Sequence, residues 1–358
     1  MNEYTNYEKY RTLCKLTKSE LRKVQQLEEQ ENLPERTVDK KATEKIWKKK
    51  AMGLGVGCFF LSIGVGIGIT FGNPLKNDQE TKNTQTKIQQ EENQQQSRDQ
   101  LEVENTEPWV KNVLMKDEGI YGDDRQQDLV FDSSYKREEI LTVTILDRLD
   151  AAPEECWDVS EEQNGLVLAW VEEDGTFYDL YIAGEGGINA KYCTKLFDGY
   201  VNMEWINLNG HFHTEYATDM TSMFGHCHRL VELDVSNLST QYVTSMYGMF
   251  TECNLLEYLD VSHFDTSQVT SMYAMFNECT NIKELDVSGF DTANVTDMAY
   301  MFSNCESLEM IDVSQFNTQK VTTMYAMFNA NNSLMELDVS NFNTSNVKDM
   351  AYMFNGCL

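Results

Sequence analysis

The chain has 358 residues and a formal net charge of −29, from 58 acidic against 29 basic side chains. So acidic a surface disfavours nucleic acid and anionic membrane faces, and favours solubility or cationic partners. The balance shifts along the chain: the first 50 residues hold 13 Lys/Arg against 9 Asp/Glu, and the acidic excess lies downstream.

Residues 1–50 are polar, and Leu21, Val24 and Leu27 form an apolar stripe too narrow for an independent core. Residues 51–72, AMGLGVGCFFLSIGVGIGITFG, carry no charge. At helical rise this run suffices to cross a ~30 Å hydrocarbon core. Lys48, Lys49 and Lys50 abut its start, so the positive-inside rule predicts one transmembrane helix at the cell membrane, with residues 1–50 cytoplasmic and the rest extracellular. A cleavable signal peptide is the competing reading, and the long polar segment before the run argues against it. The GxxxG pairs Gly53/Gly57, Gly64/Gly68 and Gly68/Gly72 suggest weak self-association of such spans. Residues 73–133 are dominated by Gln, Asn, Lys, Thr and Glu, a composition that predicts a disordered tether.

Residues 134–206 change character. LTVTILD from Leu141 alternates as a strand does, and GLVLAWV and TFYDLYIAG flank Glu172-Glu173-Asp174-Gly175 as a hairpin would. This segment is predicted to be a β-rich cap on the repeats downstream of it.

Residues 207–358 repeat with a period of 26 residues, as in LDVSHFDTSQVTSMYAMFNECTNIKE from Leu259 and LDVSGFDTANVTDMAYMFSNCESLEM from Leu285. A fixed period in this range with an L-x-x-L-x-L core marks a leucine-rich repeat array. Leu259 and Val261 alternate with Asp260 and Ser262, which predicts a strand. Val269, Met272, Met275, Phe276 and Cys279 then follow a helical stripe. Stacked, such units predict an α/β solenoid with a parallel inner sheet, its core including Met272, Phe276, Cys279, Met298, Phe302 and Cys305. Cys227, Cys253, Cys279, Cys305 and Cys357 share one position, which reads as a ladder of small buried thiols; Asn331 fills it in the remaining unit. Cys156 and Cys193 could pair as a disulfide or stay free.

The unit closely resembles that of the BspA-like leucine-rich repeat surface proteins of bacteria, over about residues 140–358. The resemblance implies a cell-surface adhesin that binds a protein of the host matrix or of another cell, with no enzymatic activity.

The residues agree with that last implication. No Ser/His/Asp order, phosphate loop or H-E-x-x-H pattern occurs, so a hydrolase reading has no residues to carry it, and no cofactor is implied. His211-x-His213 and His226-Cys227-His228 invite a zinc reading, but a predicted helix between the pairs separates them, so no metal site is assigned. Asp234, Asp260, Asp286, Asp312 and Asp338 share one outward position. They either accept local donors and fix a turn, or form a cation-binding row. Before each LDVS stands Glu232, Tyr258, Glu284, Met310 or Glu336. Tyr258 and Met310, with the Asp260, Asp286 and Asp312 row, are thus the candidate ligand-binding residues. The expected function is a membrane-anchored surface protein presenting a protein-binding ectodomain; the alternative is a transmembrane sensor whose repeats bind an extracellular ligand.

Overall fold

The computed structural model describes residues 107–117 and 129–357. Residues 1–50, the predicted span at 51–72 and most of the tether lie outside them. Among the described residues no helix is long and apolar enough to cross a membrane. The single-pass placement at the cell membrane is corrected on that finding.

The α/β fold class needs correcting too. Among the described residues there is no α-helix; the helices there are the short 3-10 segments Pro108–Lys111, Val130–Asp132, Arg137–Glu139 and Leu149–Ala151, all preceding the repeats. Regular β-structure also sits mainly before them. The strands are β1 (Ile140–Leu146), β2 (Trp157–Asp158), β3 (Val167–Asp174), β4 (Phe177–Gly184), β5 (Ile188–Asn189), β6 (Trp205–Asn207) and β7 (Phe212–His213). They form a mixed five-stranded sheet of order β2-β3-β4-β1-β6 and a small parallel pair, β5-β7. β3 and β4 are a hairpin whose two-residue loop is Gly175-Thr176. Gly175 has φ +69°, a conformation the hairpin turn asks for and a side chain would strain.

In place of an inner sheet, the repeats are joined by isolated parallel bridges in two columns. One runs Asp219, Ser245, Ser271, Asp297, Thr323, Asp349; the other contains Glu284, Met310 and Glu336. In place of a helix, each M-x-x-M-F-x-x-C segment is a run of tight turns. Met275, Asn277 and Cys279 donate N–H to the carbonyls of Met272, Ala274 and Phe276, three residues back. Met272, Ala274, Phe276 and Glu278 donate forward to Asp297, Ala299, Met301 and Ser303 in the next coil. Ala274 (φ 52°) and Glu278 (φ 61°) occupy the left-handed region, which an α-helix does not tolerate. The apolar spacing read as helical is met equally well by these turns. Cross-coil acceptors supply the hydrogen bonds that a helix would find within itself.

The stack is knitted further by side chains. Buried Thr240, Thr266, Thr292 and Thr318 donate to the carbonyls of Asp265, Asp291, Asn317 and Asn343 in the following coil. Inside, Phe197, Phe224, Phe250, Phe276, Phe302 and Phe328 are almost fully enclosed and stack with Phe354 at centroid spacings of 5.5–6.0 Å, every pair within 17° of parallel. Met272, Cys279, Met298 and Cys305 are buried beside them.

The cysteines form a second ladder. Sγ of Cys227, Cys253, Cys279 and Cys305 donates to the carbonyl of Phe197, Phe224, Phe250 and Phe276 of the coil before, at 3.1–3.2 Å. Burial pushes all four thiols up, so they stay protonated and able to donate. Cys156 and Cys193 are both free thiols. Asn331 breaks the ladder: its Oδ1 accepts from Cys305 N–H at 3.0 Å, while its Nδ2 is buried with no partner. Asn331→Cys is therefore expected to raise stability by about 1 kcal/mol, by removing a stranded donor and restoring a thiol bond to Phe302. A melt of the variant against the parent checks it; a lowered midpoint would mean that the amide is better served than its surroundings indicate.

Residues 107–117, assigned from composition to the tether, pack into the fold. Trp109 is buried and stacks on His213 at 4.0 Å and 9°, and Leu114 joins the main core. Asp117 pairs at 3.0 Å with fully buried Arg137, which also donates to the carbonyls of Asp117, Lys195 and Asp198. Burial drives the Asp117 carboxyl up to about 6 even though the guanidinium opposes this. Arg137 thereby fixes the backbone at Asp198, whose carboxylate holds His226.

Candidate functional site

Three surface features of the repeats bear on function, one at a position that is constant from unit to unit and two at positions that vary.

The aspartate row is structural. Asp234, Asp260, Asp286, Asp312 and Asp338 are each bonded by the backbone N–H two residues on, from Ser236, Ser262, Ser288, Ser314 and Ser340, at 2.9–3.1 Å. These are Asx turns, the local role such residues favour. Hydrogen bonds from Ser314 hold Asp312 below the usual carboxylate range, and those from Ser340 do the same for Asp338. Asp260, Asp286 and Asp312 are exposed and anionic, so they can attract a cationic partner while keeping their turns. Among the described residues no group of three or more His, Cys, Asp or Glu is arranged to hold a metal ion.

The Tyr258 and Met310 side chains are 53% and 56% exposed, high for large apolar groups. Met310 is bridged to Glu284 on one side and Glu336 on the other. Met335, next to Glu336, is 72% exposed.

The third feature has no counterpart among the residues singled out from the sequence. The segments MYGM, MYAM, MAYM, MYAM and MAYM place Tyr247, Tyr273, Tyr300, Tyr325 and Tyr352 in a row along the stack. Successive ring centroids lie 4.5, 5.5, 5.1 and 5.6 Å apart. Tyr247 and Tyr273 are stacked within 10°, whereas Tyr300 stands at 63° to Tyr273. The exchange of Tyr and Ala at Ala299-Tyr300 closes a groove that small residues open: Gly248 and Ala274 line it where Tyr300 stands one coil on. Gly248 has φ +57°, and a Cβ there would stand 3.2 Å from Ser222 Oγ. The groove has a volume of about 290 Å³ and is also lined by His226, Asn277, Glu278 and Asn304. Burial and its tyrosine neighbours push the Tyr273 hydroxyl up to about 12, so it stays a neutral donor.

His226, one of the residues lining the groove, shares Glu252 with His228. Nδ1 of His226 is 2.7 Å from Asp198, and its Nε2 is 3.4 Å from Glu252. His228 Nε2 reaches the other Glu252 oxygen at 2.9 Å. Burial opposes charge on His226, but its bonds to Asp198 and Glu252 outweigh it and raise the imidazole to about 9. The two histidines lower Glu252 to about 2. The cluster is an ion-paired clasp between coils. His211 and His213 are engaged elsewhere, near Asp147 and against Trp109. The two histidine pairs are thus apart, although the helix expected between them does not exist.

A family model described as "Mycoplasma protein of unknown function, DUF285" matches residues 191–308 and again 270–358. Both stretches cover stacked units, and the first begins in the segment before them, ahead of β6. Neither a curated protein nor a solved structure matches the chain.

Proposed function

We propose that the stacked units form a protein-binding module. The observation that carries this reading is the division of labour within each unit. Inward Met, Phe and Cys positions hardly change, while the column containing Tyr258 and Met310 sets large exposed apolar groups among glutamates. Aromatic and methionine side chains anchor protein interfaces, and a charged rim supports selectivity. The resemblance to BspA-like surface proteins supports adhesion, with a protein of host matrix or of another cell as the partner. Basic groups on that partner would meet Asp260, Asp286 and Asp312.

The test uses the full chain and its Tyr258→Ala/Met310→Ala double variant against each matrix or cell-surface protein that the wild type binds. The variant is expected to bind at least tenfold more weakly, and wild-type binding to weaken with added salt. Equal binding by the variant to every such partner would remove this column as the contact surface.

A further inference from the structure

We propose that the tyrosine groove is a separate site, one that takes an arginine side chain presented by an extended segment of a partner protein. Three observations converge on that ligand. First, the groove is bounded by aromatic rings: Tyr247, Tyr273 and Tyr300 line it, and the 63° between Tyr273 and Tyr300 makes a corner and not a flat platform. A planar cation can lie over the electron-rich face of one of these rings, where the ring quadrupole attracts it. Second, the charge offered is negative. Glu278 lines the groove, and the cationic group there, His226, is already held by Asp198 and Glu252. Third, a carboxylate is in place for a forked donor. Glu278 lies with Asn277, whose Nδ2 donates to Thr251 and Glu278, and with Asn304 around a space of about 290 Å³, enough for one long side chain and its backbone but not for a folded element.

Arginine fits these features better than lysine. Its guanidinium is planar, weakly hydrated and able to stack on a ring face while donating several hydrogen bonds at once; an ammonium gives up its water less readily. The groove lies along the stacking direction, so a segment in extended conformation could pass a second arginine towards Tyr325 and Tyr352, whose rings continue the row.

The probes are a short glycine–serine peptide carrying three arginines, its lysine counterpart, and a neutral chitin oligosaccharide, each titrated into the full-length protein. The arginine peptide is expected to bind about tenfold more tightly than the lysine peptide. Tyr300→Ala and Glu278→Gln should each remove most of that preference, and Tyr300→Phe should retain it. Tyr258→Ala/Met310→Ala should leave arginine binding unchanged, so failure here and failure of the module's other surface are read separately. Melting curves show whether each variant stays folded, and Tyr300→Phe and Glu278→Gln conserve shape should Tyr300→Ala not. Equal affinity for the arginine and lysine peptides, indifferent to Tyr300, would reduce the groove to diffuse attraction by an acidic surface. Preferential binding of the oligosaccharide would overturn the proposal outright.

Discussion

Replacing Phe276 or Phe302 by alanine is expected to destabilise the stack by about 3–5 kcal/mol, the range for truncating a fully enclosed aromatic side chain. Both rings are 0% exposed and lie between two others, at 5.7 Å on both sides of Phe276 and at 5.7 and 5.5 Å around Phe302. Each alanine opens a hole shared by three coils, and the turn ladder cannot contract to fill it because its spacing is set by backbone bonds on either side. For a fold of this size such a loss lowers the melting midpoint by roughly 10 °C. Amide exchange should accelerate first in the coils flanking the hole. A midpoint within a degree or two of wild type would show that the rings do not bear on one another in this way.

The second large effect is a dependence on pH. His226 titrates at about 9 in the folded protein, against about 6.5 for an unperturbed imidazole. A base whose folded value is raised stabilises the fold fully below the unfolded value and loses that stabilisation as pH climbs through the folded one. Stability should therefore fall between pH 6.5 and 9 by about 2–3 kcal/mol, through release of the proton shared with Asp198 and Glu252. Glu252, lowered to about 2 by the same contacts, places the opposite limb in acid: its contribution is complete above its ordinary value and disappears as pH falls towards 2. Both shifts express one set of ion pairs and count once. His226→Gln should flatten the alkaline limb in urea melts taken across this range. An unchanged alkaline limb in the variant would assign that limb to other groups.

These features were legible in the sequence to different degrees. The period, the inward Phe and Cys positions and the hairpin at Gly175 follow from spacing and from a turn residue that announces itself. The tight turns do not. A stripe at Val269, Met272, Met275, Phe276 and Cys279 suits a helix, and nothing marks Ala274 or Glu278 as left-handed, because neither is Gly or Asn. Local spacing cannot reveal that a neighbouring coil will take the N–H groups. The aspartates offered two roles and the structure gives them the local one. The tyrosine row was not singled out, because MYAM and MAYM differ only by an exchange of neighbours, and only stacking shows that Tyr300 turns across its neighbours. The burial of Arg137 had no sequence signal, since its acceptors are carbonyls at Asp117, Lys195 and Asp198.

The forward donation of N–H groups from each coil to the next has a consequence for how such a molecule can change over time. Every coil offers its successor the same donors at the same places, from Met246, Gly248, Phe250 and Glu252 through Met324, Ala326, Phe328 and Ala330. Phenylalanine meets phenylalanine at every junction. A duplication or loss of 26 residues in register therefore creates no new kind of junction. Gene segments can be gained or shed without redesigning the interior, and what each added coil brings to selection is its outward face: a tyrosine at one of two positions, and a glutamate, a tyrosine or a methionine at another.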